Sequence, residues 1–297
     1  MQSKEDNLME KIVSLCKRRG FVFPGSEIYG GLAGTWDYGV YGELLANNIE
    51  ALWRRHFIEE REEVFPIRTA TLMPEAVWRA SGHLEGFTDP MVECKKCRHR
   101  FRADQLEDTK KCPDCGGELG EEKTFNLLFP VEMGSVRNES HTAYLRGEIA
   151  QGMFVNFKNV LDTMHPDLPF GLAQVGKAYR NEIAPRDFLF RVREFDLMEL
   201  EYFVRESDWE KYFEAWRQSM GDWIDRVGIS REKTHELEVP PEDRAHYSKR
   251  TIDFEFDYPF GRKELYGLAY RTDYDLKKHA AESGLDLSFL DEKSGER

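Results

Sequence analysis

The 297-residue sequence lacks any apolar run long enough to cross a membrane, for which a helix needs about 20 consecutive apolar residues. Residues 1–20 also lack the apolar core of a secretory signal and instead predict an amphipathic helix. Positive charge is in deficit, since 42 Lys and Arg stand against 55 Asp and Glu, giving a net charge of −13. We therefore expect a cytoplasmic protein with no membrane or DNA partner, although a local basic patch could still hold an RNA.

Cysteine is scarce, and four of the five cysteines lie within residues 94–115. They form two Cys-x-x-Cys pairs, Cys94 with Cys97 and Cys112 with Cys115. Each pair can supply two thiolates to one ion, and two such pairs complete the tetrahedral set that structural zinc prefers. Disulfides are the alternative, but they are uncommon in a cytoplasmic protein, and a redox Cys-x-x-Cys would need only one pair. The spacing predicts structural Zn²⁺ with no open coordination position.

Two strand-like segments, 171–180 and 191–204, flank a charged loop that contains Pro185, which predicts an antiparallel hairpin with a long loop. Because strand side chains alternate between faces, we expect one face to carry a cation, an aromatic ring and two carboxylates. Such a face would suit a ligand with a phosphate, a planar base and an ammonium group. The side chains assigned to this face are Arg191, Phe195, Glu199 and Glu201.

The rest of the chain mixes helical and strand patterns. Residues 7–19 predict an N-terminal helix, and apolar residues recur at helical spacing in 43–60 and 208–226, which predict two more. The aromatic stripe on the last of these predicts packing in a core rather than a binding surface. Residues 251–270 show the period-two alternation of a strand pair.

The hairpin resembles motif 2 of the class II aminoacyl-tRNA synthetases, in which Phe/Tyr-Arg-x-Glu is followed by a variable loop and Arg-x-x-x-Phe. Here Tyr179-Arg180-Asn181-Glu182 precedes the loop, and Arg191-Val192-Arg193-Glu194-Phe195 follows it. Other segments resemble the homodimeric-type glycine enzymes of that class, and the resemblance runs from Leu8 to Leu276. These segments are EIYGGLAGTWDYG (27–39), SGHLEGFTDPMVEC (81–94), AQGMFVNFKNV (150–160), APRDFLFRVREF (184–195) and AYRTDYDL (269–276).

The resemblance implies an α+β fold, with the antiparallel sheet of class II synthetases flanked by helices and a zinc-ribbon-like insertion. It implies a glycine–tRNA ligase, which activates glycine with ATP to glycyl-adenylate and transfers the glycyl group to tRNA(Gly). It further implies Mg²⁺ as a cofactor and a homodimer. We expect 1–93 to form the N-terminal part of the catalytic domain with a motif 1-like region, 94–117 the zinc insertion, and 118–297 the catalytic core.

The implied reaction needs no serine, cysteine or histidine base, because the attacking glycine carboxylate is already ionised. Positioning and stabilisation of charge at the phosphate should supply catalysis. By resemblance, Arg180 clamps the α-phosphate, Glu182 contacts the adenine amino group and Arg191 reaches the γ-phosphate, and these three are the catalytic candidates. Phe195 would stack on adenine, and Glu264 would hold magnesium. The ATP-binding candidates are Arg180, Asn181, Glu182, Phe190, Arg191, Val192, Arg193, Glu194, Phe195, Glu264 and Leu265.

Glycine has no side chain, so selectivity must come from binding its ammonium group and leaving no room beyond Cα. Carboxylates are the physical means of binding the ammonium. Glu148, in LRGEIAQG, and Glu199, in FDLME, match glycine-binding residues of the family. Arg271 matches an arginine of the same pocket, and Arg100 falls where a substrate-side arginine is expected. The glycine-binding candidates are Arg100, Glu148, Phe195, Asp196, Leu197, Met198, Glu199 and Arg271.

The sequence departs from the family pattern at several positions. Gly147 and Ile149 replace a proline and a threonine beside Glu148, Leu197 replaces a glutamine, and Tyr270 replaces an asparagine. No segment matches motif 3, a strand and helix that carry an ATP-binding arginine, and the anticodon-binding domain is absent. We expect a truncated form of the enzyme. The alternatives are a degenerate relative, a paralogue that forms an aminoacyl-adenylate without charging tRNA, and a non-catalytic binding protein.

Overall fold

A computed structural model describes residues 4–106, 108–134, 141–291, 295 and 297. Its regular elements alternate along the chain as a mixture of short strands, two long hairpins and a few long helices. The helices are α1 (Lys4–Arg18), α2 (Val40–Arg54), α3 (Glu75–Ala80), α4 (His83–Gly86), α5 (Ala150–Val155), α6 (Phe157–Met164), α7 (Trp209–Val227) and α8 (Tyr274–Ser283). The strands are β1 (Val22–Pro24), β2 (Trp36–Tyr38), β3 (Val64–Pro66), β4 (Leu72–Pro74), β5 (Thr88–Glu93), β6 (Arg100–Arg102), β7 (Lys123–Asn126), β8 (Phe129–Met133), β9 (His141–Leu145), β10 (Phe170–Tyr179), β11 (Glu194–Phe203), β12 (Thr234–Glu238), β13 (Arg250–Tyr258) and β14 (Gly261–Tyr270).

The long hairpin forms as the sequence predicts. Strands β10 and β11 pair antiparallel from Phe170 opposite Phe203 to Tyr179 opposite Glu194, and β3 adds a parallel strand beside β10. One expected member of the ligand-binding face is wrong: Arg191 lies in the connecting loop, where it forms an isolated bridge with Arg186. Regular pairing ends at Glu194, so strand alternation does not place the Arg191 side chain.

The aromatic stripe of α7 packs in a core, as the sequence predicts. This core lies against the hairpin. Trp216 and Trp223 join Trp53 and Phe57, from α2 and the π-helical turn that continues it, in one buried cluster. Alternate residues of β11, among them Met198 and Leu200, pack against this cluster. Because neighbouring strand residues point to opposite faces, the residues between them lie on the face away from the helices. Burying each large side chain contributes roughly 1.5–3 kcal/mol, which fixes the hairpin against the helical layer.

The predicted strand pair at 251–270 is β13 with β14, and β12 pairs on the other side of β13. Ile252 and Phe254, two residues apart on β13, are buried together with Phe213 and Ile224 of α7. The period-two burial follows from the strand geometry. Helix α7 therefore packs against two separate three-stranded sheets, and the face opposite to it remains available for a site.

The four-cysteine segment sits on a small sheet of its own. Strand β5 lies between β6 and β7, and a bridge between Cys94 and Leu119 continues the pairing. Val92, Ala103 and Leu119 are buried here together with cysteines, in a cluster separate from the aromatic core. We call residues 88–126 the cysteine module. Among the described residues, no helix is both long and apolar enough to cross a membrane.

Candidate active site

A cavity of about 1350 Å³ lies between β11 and β14. Within the part of the chain that the structure describes, each of these strands pairs on one side only, β11 with β10 and β14 with β13. The walls of the cavity come from segments that are far apart in sequence, and nine of the predicted site residues line it. Those nine are Glu148, Arg180, Asp196, Leu197, Met198, Glu199, Glu264, Leu265 and Arg271.

The carboxylate of Glu148 is held from two sides. His83 Nε2 lies 3.2 Å from Glu148 Oε2, and Gln151 Nε2 donates a hydrogen bond of 2.8 Å to Glu148 Oε1. Burial alone would raise the pKa of Glu148, but the hydrogen bond and charge of His83 and the charge of Arg271 outweigh it and lower the pKa to about 2. Glu148 is therefore a fixed anion at neutral pH.

Glu199 and Glu201 line the same cavity from β11. Burial, reinforced by the charge of Glu148, raises the pKa of Glu199 to about 7. Burial raises the pKa of Glu201 to about 8, and the attraction of Arg271 only partly opposes it. Glu199 Oε2 is buried and has no hydrogen-bond partner within the described residues. Three acidic groups with one unpartnered oxygen form a site that a cationic ligand would stabilise.

Two arginines border the acidic groups. Arg271 is already paired, because its Nε and Nη2 donate to Asp275 at 2.8 and 2.9 Å and its guanidinium lies 3.7 Å from the ring centroid of Tyr247. Arg180 donates from Nε to the Gly147 carbonyl at 3.1 Å, and no carboxylate in the described part of the chain forms an ion pair with it. The Arg180 guanidinium is thus available for an anionic ligand group.

Arg180 is held between aromatic rings. Its guanidinium lies 5.1 Å from the ring centroid of Phe87 and 5.3 Å from that of Phe195. Phe195 is at the start of β11, two residues before the cavity-lining Leu197. The predicted aromatic platform and the predicted phosphate clamp are therefore neighbours, as a bound nucleotide would require.

The hairpin loop carries the other predicted ATP-binding residues. Arg191 Nη1 lies 3.4 Å from Glu182 Oε2, and the Glu182 side chain is buried. Arg193 donates from Nη2 to the Glu182 carbonyl at 2.9 Å and from Nη1 to the Ala33 carbonyl at 2.7 Å. The segment at 27–39 therefore supports the loop from outside the hairpin, and Glu182 and Arg191 form a pair without a ligand.

The remaining candidates lie in the hairpin loop and at the start of β11. Phe190 packs edge-on against Tyr258, with ring centroids 5.2 Å apart. The Asn181 backbone N–H donates to the Leu127 carbonyl at 2.8 Å, and Val192 is buried. Glu194 and Asp196 both contact Lys177, at 3.2 and 3.4 Å.

Comparison with known proteins identifies the family. Residues 129–280 match the family model described as tRNA synthetase class II core domain (G, H, P, S and T). Over 97% of its length the chain is 45% identical to a glycine–tRNA ligase of Treponema denticola and 45% identical to one of Caldanaerobacter subterraneus. The chain belongs to the glycine–tRNA ligase family. It spans 64% and 69% of the length of these two relatives.

A solved structure supports the fold assignment of this glycine–tRNA ligase family member. Prolyl-tRNA synthetase of Giardia lamblia, in complex with prolyl-adenylate, superposes with a TM-score of 0.65 at 15% identity, covering 93% of this chain and 47% of that one. At this identity the likeness shows the fold alone. Together with the family model it confirms the predicted α+β class II architecture.

One glycine-binding candidate lies away from the others. Arg100, on β6 of the cysteine module, has a side chain that is 58% exposed and contacts Glu93 at 3.0 Å. Arg102, two residues further along β6, instead reaches the buried Asp89 at 2.8 Å. Burial raises the pKa of Asp89, while the charges of Arg102 and Arg191 oppose the rise. Arg102 is thus paired with a buried carboxylate inside the module, a contact that the sequence did not indicate.

The four cysteines of the module converge, as their spacing in the sequence predicts. Cys94 and Cys115 Sγ are 3.6 Å apart, Cys97 and Cys112 Sγ are 3.7 Å apart, and all four lie within 4.8 Å of one another. Tetrahedral zinc with Zn–S bonds of about 2.3 Å requires S–S separations of about 3.8 Å. Backbone N–H groups of Cys97 and Lys96 donate to Cys94 and lower its pKa to about 6, which favours the thiolate. The donor set fits structural zinc.

Two neighbouring carboxylates, Glu264 and Asp253, could bind a magnesium ion. Burial and the neighbouring charge of Asp253 raise the pKa of Glu264, and both residues line the cavity. Within the described residues, however, the cysteine quartet is the one group whose ligand atoms are already clustered closely enough for a metal. A cation shared with ligand phosphates would relieve the repulsion between the two carboxylates.

Several residues behind the cavity were missed by the sequence analysis. His83, Gln151, Asp275 and His279 contact Glu148, Arg271 or one another, and all but His83 are fully or nearly fully buried. Three of them lie in segments quoted for the family resemblance, at 81–94, 150–160 and 269–276. No spacing rule joins them, because they meet only when α4, α5 and α8 pack around the sheet.

Proposed function

We propose that this chain carries the glycine- and ATP-binding site of a glycine–tRNA ligase, which forms glycyl-adenylate and passes the glycyl group to tRNA(Gly). The observation that carries the proposal is the meeting of Glu148, Glu199 and Arg180 at one cavity. An ammonium group would meet the carboxylates, while a phosphate beside it would meet the free guanidinium. The segments 1–93 and 118–297 would share this catalytic domain, with 94–117 as its insertion.

The chemistry requires placement more than proton transfer. The glycine carboxylate oxygen attacks the α-phosphorus of ATP, an O–P bond forms, and the bond to the leaving pyrophosphate breaks. Arg180 would stabilise the charge that builds up on the α-phosphate, and Phe195 would hold the adenine ring. Glu264 with Asp253 would hold Mg²⁺, which supplies charge neutralisation between phosphates. No side chain of the cavity has to act as a nucleophile.

Recognition of glycine would combine carboxylates that bind the ammonium group with a wall that leaves no room for a side chain. Glu148 is ionised and held in place, while Glu199 offers an unpartnered oxygen. An ammonium group bound by both carboxylates would supply positive charge that stabilises the ionised form of Glu199, whose pKa burial raises. Leu197, which lies on the same face of β11 as Glu199, would limit the space beyond the glycine Cα.

The cysteine module would hold structural zinc. Four thiolates fill a tetrahedral ion and leave no position for substrate, so the metal would stabilise the module rather than react. Zinc ligation by thiolates would also fit a reducing, cytoplasmic compartment, in which cysteines stay reduced.

A second copy of the chain would cover the N-terminal surface. Large apolar side chains are exposed between the short 3₁₀ turn at 27–29 and α2, including Ile28 at 87%, Tyr29 at 85% and Val40 at 74%. Exposed apolar patches of this kind mark interaction sites. This patch leads into the helix predicted at 43–60, which is the motif 1-like region, and that position supports a homodimer. Light scattering coupled to size exclusion would test it, and a monomer at micromolar concentration would contradict it.

The decisive test uses a glycyl-adenylate analogue in which a sulfamoyl group replaces the phosphate, with binding measured by calorimetry. Glu148→Gln keeps the side-chain shape and removes the charge, so we expect affinity for the analogue to fall about ten- to a hundredfold, the value of a charge-assisted hydrogen bond. Adenosine alone should bind equally to both proteins. Glu210→Gln, the same change on an exposed position of α7, is the matched control. Unchanged binding of the analogue to Glu148→Gln would refute the proposed pocket.

A further inference from the structure

Glu148 lies in the middle of a largely buried hydrogen-bond network. From Glu148 the network runs through the Gln151 amide to Asp275, and Asp275 receives two hydrogen bonds from Arg271. On the other side of Glu148, the network continues to His83 and then to Ser81. The two predicted glycine-binding residues of opposite charge, Glu148 and Arg271, are thus connected through side chains to which the proposed function assigns no role.

Gln151 fixes the direction of this network. Its Oε1 accepts from His279 Nε2 at 2.7 Å, so the amide nitrogen must face the other way. That nitrogen donates both hydrogens, to Glu148 at 2.8 Å and to Asp275 at 3.1 Å. Rotating the amide would place its oxygen between two carboxylates, and the side chain is fully buried. One orientation is therefore strongly preferred.

His83 holds the second oxygen of Glu148. A carboxylate only accepts, so His83 Nε2 must carry the hydrogen in the 3.2 Å contact. The ring is clamped edge-on between Trp78 and Phe87, with centroids 5.4 and 5.2 Å away. Ser81 Oγ lies 2.8 Å from His83 Nδ1 and fixes the rotation of the ring. The His83 ring is therefore held in one position, from which it binds the Glu148 carboxylate.

We propose that His83 and Gln151 are positioning residues, which hold the Glu148 carboxylate in the single orientation that accepts a hydrogen bond from the ammonium group of an amino-acid substrate. The inference rests on the proposed function of the cavity. A carboxylate offers about four acceptor positions, of which these two residues occupy one on each oxygen. The positions left over face a ligand in a fixed geometry, so less conformational freedom is lost on binding.

The test compares two ligands that differ only at the α-ammonium group. One is the sulfamoyl glycyl-adenylate analogue, and the other carries a hydroxyl in place of the ammonium. His83→Phe keeps a ring between Trp78 and Phe87 but removes the donor. We expect its affinity for the ammonium ligand to fall about tenfold, while binding of the hydroxyl ligand changes by less than about twofold. His83→Gln, whose amide nitrogen can occupy the place of Nε2, should restore most of the lost affinity.

A merely structural role predicts a different pattern. If His83→Phe weakened both ligands equally, or neither, or if His83→Gln behaved like His83→Phe, the positioning role would be wrong. Should His83→Phe fail to fold by circular dichroism, Ser81→Ala is measured instead, because it retains the imidazole but removes the hydrogen bond that fixes the rotation of the ring. It should lose affinity for the ammonium ligand alone, and an equal loss for both ligands would overturn the inference.

Glu148→Gln separates this inference from the proposed function. If that variant leaves ammonium binding unchanged, the pocket itself is misassigned. If Glu148→Gln weakens the ammonium ligand but His83→Phe does not, the pocket stands and the positioning role fails. When both variants weaken it, the double variant should lose little more than Glu148→Gln alone, because the two side chains act through one contact.

Discussion

The cysteine module and the cavity between β11 and β14 are built in opposite ways. In the module, all four metal-ligand candidates come from residues 94–115, on two tight turns whose sulfur atoms lie within 4.8 Å. In the cavity, the groups that define the pocket range from Glu148 to Arg271 and are supported by residues as distant as His83 and His279. A site made by local chain geometry can be recognised from spacing, whereas a site made by packing cannot.

The two regions should also differ in what stabilises them. The module has a small apolar cluster around Val92 and Leu119, too few side chains to offset the entropy of ordering a segment of that length. The cavity is surrounded by large aromatic clusters that include Trp78, Trp223 and Phe170, all fully or almost fully buried. We therefore expect the module to depend on its metal and the cavity to depend on the core.

The largest expected effect is the loss of metal from the module. Wild-type protein should contain about one zinc per chain, and Cys112→Ser should contain almost none, because structural zinc needs its four ligands. Hydrogen exchange should accelerate throughout 94–119 but not in β10 or β11. The measurements are elemental analysis and exchange mass spectrometry. Cys16→Ser, outside the module, is the control, and a Cys112→Ser protein that kept its zinc would contradict the assignment.

The reverse experiment disturbs the core and spares the module. Phe170 is fully buried against Phe157 and Phe203, with ring centroids 5.9 and 5.0 Å away. Phe170→Ala should lower the free energy of unfolding by about 3–5 kcal/mol, measured by urea denaturation, because it leaves a cavity. The zinc content should stay the same. Equal loss of metal in this variant would show that the two regions fold as one unit.

The pH dependence of ligand binding should belong to the cavity alone. Glu199 and Glu201 have pKa values raised to about 7 and about 8, so both gain charge as the pH rises from 6.0 to 7.5. An ammonium ligand prefers the ionised forms, and its affinity should increase about five- to tenfold over this range. Glu199→Gln should reduce the slope. The hydroxyl-bearing analogue should show no such rise, and a rise of equal size for both ligands would exclude these carboxylates as its cause.

The ligand-free protein should respond to pH with the opposite sign. In the unfolded chain these two carboxyl groups have pKa values near 4.5, so the folded state holds protons more tightly. Their contribution to stability is fully present below about pH 4.5 and is lost as the pH rises through 7 to 8. A shallower decline in Glu199→Gln than in wild type is the check.

The smallest expected effect concerns ion pairs on the module surface. Lys95 and Glu118 form a contact in which the side chains are 58% and 70% exposed. Exposed pairs contribute little, so Lys95→Ala should change the free energy of unfolding by less than ~0.5 kcal/mol and leave zinc content unchanged. A larger loss, measured by denaturation at two salt concentrations, would mean that surface charge and not thiolate ligation supports the module.

Much of the site could be predicted from the sequence, because strands and Cys-x-x-Cys pairs are formed by residues close together in the chain. The hairpin, the placement of Phe195 and Glu199 on one face of β11, and the cysteine pairs follow from alternation and spacing. Arg191 was misplaced because regular pairing ends at Glu194 and the loop takes its own course. Arg100 is not among the residues that line the cavity, because its exposed side chain pairs with Glu93, directly opposite it on β5.

The sequence by itself determined the elements of this protein and the chemical types available to its site: a hairpin with carboxylates on one face, an aromatic helix, and four thiols at metal spacing. Only the tertiary structure decided which carboxylates share a cavity, and which of them is held as an anion. That difference arises because pKa values and hydrogen-bond partners depend on desolvation and on groups such as His83, Gln151 and Arg271, which are distant in sequence. Local pattern specifies what a segment becomes, and packing specifies what its side chains meet.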